Sequence, residues 1–420
     1  MELMGMLVTA DIWLNTMPDV NKLMEISEKS IISSNMNIVE KFKHSFNPQG
    51  ESLVYVLAES HFSIHCVSVD TEILTEKGWK FYNEIIPQDK ILTYNLVKDE
   101  LEFQIPVYLY VGEYKGIMYN MKNCYIDALF SPDHNCLVQT QLYKGISNWH
   151  LRKAEELPKS YIRHKISSFH PITEEKFSDD YLKLLCWIIT EGYFRKDCNG
   201  IGISQSNTAN PKYVKEIDNI LLKLEVPFSR SMRRETEEIE WYIKEPYSIK
   251  IRQDIPDKEF PINLAFLSNR QSEIALKTLI KGDGSFRRTD LHFTQKRKQV
   301  VDLMQILGIR NNYRSYLRHL DERYAISFKK KNYTVSLKKD NNTIDYSGLI
   351  FCPRVANGTW IARRNNKVFI TGNSYPEKKY ISVDCYTCGL EGNPKACINS
   401  LLLSLDVNHV KMNVIKRGIY

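Results

Sequence analysis

Two stretches of this 420-residue chain carry one pattern twice, LLCWIITEGYF at 184–194 and ALKTLIKGDGSF at 275–286. Each is an apolar helical run that ends in an acid followed by glycine. The first continues into ISQSNTANPKYVKEIDNILLKLEVPFS and the second into HFTQKRKQVVDLMQILGIRNNYRS, in both cases strands, a polar turn and a further helix. Neither αββα copy can bury its apolar helix alone, so the pattern predicts one domain with pseudo-twofold symmetry. A single acid beside glycine usually caps a turn. Its recurrence as Glu191-Gly192 and Asp283-Gly284 points to a paired site.

The residues around this repeat change character sharply. Residues 5–13 are rich in strand formers, and 20–32 follow a helical period through Val20, Leu23, Met24, Ile26 and Ile31. A turn at Asn47-Pro48-Gln49-Gly50 leads into the strand candidate SLVYVLA. From Cys66 to about Thr140 come only short β-rich runs separated by turns, which predicts a compact all-β unit. A second β-rich piece spans 346–373. After Asn373 the α/β character returns, with YISVDCYTC as a strand and PKACINSLLLSL as a helix. The 66–373 block therefore reads as an insertion.

Charge follows the same division. Residues 1–65 hold four Lys/Arg against eight Asp/Glu and residues 374–420 six against four, so the block carries +9 of a net +7. An excess of that sign suits a nucleic-acid partner, and a solvated lysine-rich surface would give it equally well. Nine cysteines, an odd number thinly spread, argue against a disulfide framework and for a reducing compartment. No apolar run is long enough to cross a bilayer, and the start lacks a secretory head, so the expectation is a cytoplasmic protein without membrane contact. Cys385 and Cys388 form a lone C-x-x-C with no second pair, a weak metal signal.

Cys66-Val-Ser-Val-Asp-Thr resembles the opening of inteins, and Val368-Phe-Ile-Thr-Gly-Asn373 followed by Ser374 resembles their end. The chemistry explains the residue types. A thiol at Cys66 can attack the preceding carbonyl and turn the His65–Cys66 peptide into a thioester. The Ser374 hydroxyl can take over the acyl group, and Asn373 can cyclise and release the block. Ser131-Pro-Asp-His134 resembles the family's T-x-x-H, which implies that His134 assists the first acyl shift. FCPRVANGTWIARRNNKVFITGN resembles the penultimate motif, with Cys352 where many members carry aspartate. Gly372 stands where many inteins place histidine, which leaves open what assists the asparagine.

The repeat helices resemble the LAGLIDADG motif of homing endonucleases. That resemblance implies paired helices delivering Glu191 and Asp283 as carboxylates for Mg2+ in two active sites on double-stranded DNA. Lys258 matches a lysine near that site. Lys277, Thr278 and Lys281 depart from the usual apolar, small or acidic positions. Arg252, Arg287, Arg288, Lys296, Arg297 and Lys298 are candidate phosphate or base contacts.

Joining the flanks gives LAESHFSIH–SYPEKKYISVDCYTCG, which resembles the prokaryotic S-adenosylmethionine decarboxylase proenzyme. The resemblance implies self-cleavage at Glu59–Ser60, with Ser60 becoming a pyruvoyl group that forms a Schiff base with the amine of S-adenosylmethionine. It implies that His65 accepts a proton during processing and that Cys388 protonates the substrate carbon. Ser52 matches a processing serine and Glu377 an active-site acid.

The expected architecture is thus an α/β two-layer sandwich from 1–65 and 374–420, a homo-oligomer when mature. Interrupting it would be an all-β splicing domain from 66–177 and 336–373, which holds an α/β endonuclease at 178–335. The rival reading is a DNA-cleaving homing endonuclease as the main activity, with vestigial or unspliced decarboxylase flanks.

Overall fold

The computed structural model describes residues 5–14, 22, 25, 26, 29, 66–373 apart from 159, 174, 234–235, 260, 262–265 and 289, and then 380–388 and 394–417. The strand candidate SLVYVLA lies outside the described residues. The fold is mixed α/β and mostly sheet. It divides into two compact units, Met1–Ser63 with Tyr375–Tyr420, and Ile64–Ser374.

In the first unit, Gly5–Leu14 lies between Tyr380–Cys388 and Val407–Arg417 in an antiparallel sheet. Gly5 pairs with Cys388 on one side and Arg417 on the other. A strand that precedes the block is therefore flanked by two that follow it. Alternation buries Val8, Ala10 and Ile12 on one face, against Cys397, Ile398 and Leu401 of the helix Pro394–Leu403. Each such apolar side chain taken from water contributes about 1.5–3 kcal/mol, so the flanks have reason to associate even while the block separates them.

The second unit contains two kinds of structure. Its β-rich part has a closed barrel of Val67–Ser68, Asn341–Arg354, Tyr108–Lys122 and Asp127–Phe130. A ten-stranded sheet runs alongside, and at its centre Lys367–Gly372 lies between Asn135–Thr140 and Thr359–Arg364. The ladder between Asn341–Arg354 and Tyr108–Lys122 joins Asn341 to Met121 and Arg354 to Tyr108, so strands far apart in sequence close the barrel.

The repeat forms the other part. Helix α1 (Asp179–Glu191) starts at Ser178, whose side chain accepts from the Tyr181 N–H, with Asp179 and Asp180 in the first turn facing the positive end of the helix dipole. Helix α2 spans Pro211–Lys223, α3 spans Asn269–Asp283 and α4 spans Lys298–Arg310. Ser268 caps α3 through the Gln271 N–H. The motif helices α1 and α3 pack on each other so closely that a Cβ at Gly282 would lie 2.2 Å from the Thr190 hydroxyl. Only glycine allows that approach.

Each copy is longer than the αββα unit expected from sequence. The structure adds a hairpin after α2 (Phe228–Arg233 with Glu238–Ile243) and another after α4 (Tyr313–Leu320 with Arg323–Lys330). The resulting four-stranded sheets share one strand order. Ile239, Trp241 and Ile243 alternate inward along a segment whose neighbours are heavily charged. That charge hides the strand period until the sheet is assembled. The departures in α3 find local partners: Lys277 pairs with Glu273, the Thr278 hydroxyl donates to Ile274 O, and Lys281 pairs with Glu216.

The two parts share one core. Leu74, Leu92, Ile361 and Ile370 of the ten-stranded sheet pack in the same cluster as Leu276, Ile306 and Phe293 of the repeat. Buried Arg363 joins them, donating to Glu72 at 2.5 and 2.6 Å and to Asp302 of α4 at 2.5 Å, over the Trp79 ring.

Candidate functional site

The ends of the block meet inside the β-rich part. Cys66 immediately precedes the short strand Val67–Ser68, and its N–H donates to the Ser131 hydroxyl oxygen at 2.9 Å. In return the Ser131 N–H donates to Cys66 O at 3.0 Å, and the Ser131 hydroxyl lies 3.3 Å from the same oxygen. Both polar edges of Cys66 therefore face Ser131. The ladder pairs Val67 with Phe351, which sets Cys66 beside Cys352 in the next register. Both cysteines are buried in one small apolar cluster. Burial, and behind it the Cys352 thiol, pushes the Cys66 thiol well above the ordinary thiol range.

His134 is fully buried, and its ring stacks on Phe130 with centroids 4.5 Å apart. Its Nε2 shares a 2.5 Å hydrogen bond with the Thr371 hydroxyl. Thr371 lies two residues before Asn373, whose side-chain N–H donates to Val355 O at 2.7 Å. Cys66, Ser131, His134, Cys352 and Asn373 are thus brought into one region. Ser374, Ser52, Glu59, Ser60, His65 and Glu377 lie outside the described residues. Cys388 is described only as the last residue of its strand. Sequence reasoning missed Thr371 as a partner of His134, although it sits inside the quoted Thr-Gly-Asn ending.

The second constellation lies at the ends of α1 and α3. Burial, and then the Asp283 charge, pushes Glu191 above the usual carboxylate range. Burial pushes Asp283 up to about 6, against the pull of Arg297, Lys258 and Gln295. Gln295 donates to Asp283 at 2.8 Å, and its counterpart Gln205 lies 3.4 Å from Glu191. Both glutamines went unnoticed in the sequence. Comparing the two copies points to them, because each lies at or next to the end of the second strand after its acid.

Lys258 reaches this site, as the resemblance implies, with its ammonium donating to Gly192 O. Burial, then the Arg297 charge, lowers its pKa. Several proposed DNA contacts are otherwise engaged. Arg252 donates to the carbonyls of Arg195, Cys198, Asn199 and Gly200, so it ties a loop together. Arg297 donates to Ile189 O at 2.8 Å and Lys258 O at 2.6 Å, and Lys298 pairs with Asp302. Arg287 lines an open groove with Asp283, His292, Arg318 and Ser327. Among the described residues no three His, Cys, Asp or Glu side chains cluster as metal ligands, and no helix is long and apolar enough to cross a membrane.

The chain matches the family model described as S-adenosylmethionine decarboxylase over residues 8–69 and 366–418, with 70–365 outside the match. The similarity to that family thus falls on the two ends of the chain, with a long block between them outside it. The S-adenosylmethionine decarboxylase proenzyme of Thermococcus kodakarensis is 32% identical over 69 residues, covering 16% of this chain and 46% of the relative. The chain thus spans about half the length of that relative. The ATP-dependent Clp protease proteolytic subunit of Chlamydomonas moewusii is 26% identical over 126 residues, 29% of this chain and 12% of that protein. That match is longer than either flank, so it extends into the block. A crystal structure of I-DmoI in complex with DNA and Mn is similar at 13% identity and TM-score 0.30, covering 36% of this chain and 89% of that one. A structure of the AceL NrdHF class 3 split intein, a splice-inactive variant, is similar at 8% identity and TM-score 0.27, covering 74% and 99%.

Proposed function

We propose that this chain is a precursor that excises its 66–373 block and joins His65 to Ser374, giving a decarboxylase of S-adenosylmethionine. One observation carries the reading. Cys66 and Asn373, at opposite ends of the block, are both buried in one compact unit, Ile64–Ser374, whose bounds lie within two residues of theirs. The match to a differently named algal protein extending into the block fits a segment able to reside in unrelated hosts.

In this reading the Cys66 sulfur attacks the His65 carbonyl carbon and the His65–Cys66 C–N bond breaks. The amide nitrogen becomes an amine, gaining the thiol's proton. The Ser374 hydroxyl then displaces the thiol, Asn373 cyclises, and the acyl group moves from the Ser374 oxygen to its freed nitrogen. Ser131 holds the scissile N–H, and the Thr371 bond fixes the ring of His134, the residue that assists the first acyl shift in this reading. The raised thiol pKa means that sulfur is delivered by position rather than as a standing thiolate. Time-resolved intact mass spectrometry of the full chain tests this. The expected species are the ligated product and the free block, and a 420-residue chain unchanged under all conditions would refute it.

In the ligated product, the Ser60 hydroxyl attacks the Glu59 carbonyl and the Glu59–Ser60 C–N bond breaks to leave an ester. β-Elimination then releases the Glu59 carboxylate and leaves dehydroalanine, whose imine tautomer water hydrolyses to ammonia and a pyruvoyl group. When present, that group supplies an electron sink for loss of CO2. His65 takes up a proton during processing, with Ser52 and Glu377 in supporting roles, and Cys388 protonates the substrate carbon. The product is the aminopropyl donor for spermidine, and the mature enzyme would act in the cytoplasm as a homo-oligomer. Cys388→Ser should still cleave at Glu59–Ser60 but lose most turnover, because a hydroxyl is a far weaker acid than a thiol. Normal CO2 release from that variant would move the proton donor elsewhere.

A second activity is favoured by the paired acids: the middle domain cuts double-stranded DNA. Glu191 and Asp283 form a half-buried site in which burial pushes both carboxylates up, and their oxygens suit Mg2+. Bound there, the ion would activate water and stabilise the leaving oxygen. Gln205 and Gln295 each donate to one of the two carboxylates. The flank sheet, built from strands on both sides of the block, speaks against vestigial flanks.

A further inference from the structure

Gly372 offers no side chain to assist Asn373, and there is little room for one. A Cβ there would lie 2.4 Å from Asn135 O, so any larger residue must push the neighbouring strand back. The groups around Asn373 come instead from the segment Val355–Trp360. The hairpin register sets Trp360 opposite Thr371. From that position the Trp360 indole N–H donates to Gly372 O at 3.0 Å. On the other edge of the same peptide, the Asn373 N–H donates to Gly358 O at 3.0 Å. Both polar edges of the Gly372–Asn373 peptide are therefore held.

The side chain is held separately. Asn373 Nδ2–H donates to Val355 O at 2.7 Å, and its Oδ1 is buried with no partner among the described residues. The amide's orientation thus rests on the nitrogen. Gly358, at φ +69°, closes the turn by donating to Val355 O at 3.1 Å, which fixes the acceptor. Trp360 is among the largest fully buried side chains, so its indole cannot swing away without opening the core.

We propose that Trp360 is a positioning residue for the cyclisation of Asn373. The inference rests on the splicing reading above. In the step itself Nδ2 attacks the Asn373 carbonyl carbon and the bond to the Ser374 nitrogen breaks. One proton passes from Nδ2 to the leaving amine, leaving a succinimide. Closing that five-membered ring requires the peptide before Asn373 and the side-chain torsions to be set together. The clamp removes that rotational freedom before the attack.

The test uses the full-length chain and follows two products by intact mass. Residues 1–65 released by dithiothreitol report the first step, and the succinimide-ended block reports the last. Trp360→Phe keeps a ring and removes the donor. Benzothienylalanine at 360, which replaces the indole N–H by sulfur at nearly constant shape, guards against loss of packing. Both should slow succinimide formation at least about tenfold while changing thiolysis by less than about twofold. Unchanged cyclisation in the benzothienyl protein, or equal slowing of both steps, overturns the role of Trp360. A wild-type chain yielding neither product would overturn the splicing reading itself, and the proposal with it.

Discussion

The two sites of the Ile64–Ser374 unit are held in opposite ways. Around Cys66 and Asn373 the functional groups are buried, and backbone carbonyls, hydroxyls and one indole fix them. Around Glu191 and Asp283 two acids share a half-buried site with Lys258 and Arg297, and both carboxylates are pushed up. The first arrangement fixes geometry, and the second holds carboxylates whose charged form burial disfavours. A reaction performed once on the chain's own backbone needs only the right atoms in contact. A site acting on phosphodiesters needs carboxylates that can hold a cation against the phosphate.

The largest effect that would break this contrast is at the junctions. Cys66→Ala with Asn373→Ala should abolish excision while leaving DNA cutting intact, read as a single 420-residue mass in an active nuclease. Ligated product from that double variant would mean that the junction chemistry lies elsewhere. Glu191→Gln or Asp283→Asn should do the reverse. Splicing should continue, and cleavage of a duplex spanning the uninterrupted decarboxylase sequence should disappear in the presence of Mg2+. DNA binding should persist and weaken as salt rises. A wild-type block that never nicks that duplex with any divalent ion would remove the second site from the comparison.

A smaller effect separates orientation from packing at His134. Thr371→Val removes the hydroxyl and should slow thiolysis at His65–Cys66 by about tenfold, with its pH profile displaced. Thr371→Ser should retain most of the rate, and neither should alter DNA cutting. Equal rates in all three would leave the 2.5 Å bond without a role.

The smallest effect concerns stability. Asp283 holds its proton up to about 6 in the folded chain, against an ordinary value of 3.8. Between these values the folded state binds more protons than the unfolded one, so its contribution to stability falls as pH rises. Asp283→Asn should therefore stabilise the protein by about 1–2 kcal/mol above pH 6, discounted for partial exposure, and by little below pH 4. Mg2+ should raise the melting temperature of the wild type at pH 7 and leave that variant nearly unchanged. A variant less stable than wild type at pH 7 would show that the site is not charge-frustrated.

Much of this was legible because the chemistry sits in short contiguous motifs. The acids at 191 and 283 and the Thr371-Gly372-Asn373 ending are local patterns. The helices α1 and α3 announce themselves by period and by their Ser caps. The second hairpin of each repeat was not legible, because Arg233 to Glu240 reads as a charged loop until Trp241 is seen facing the core. Arg252 read as a phosphate contact for a similar reason. A side chain's charge is local information, but its four carbonyl partners are brought together only by the fold.

Sequence alone determined that a thiol, a histidine, two acids and an asparagine occur in that order within a block that interrupts another pattern, since residue type and spacing carry that information. Tertiary structure decided the partners. The Thr371 bond to His134 and the Trp360 hold on Gly372 arise where strands far apart in the chain become neighbours. Register there is set by burial of whole strand faces rather than by any one residue.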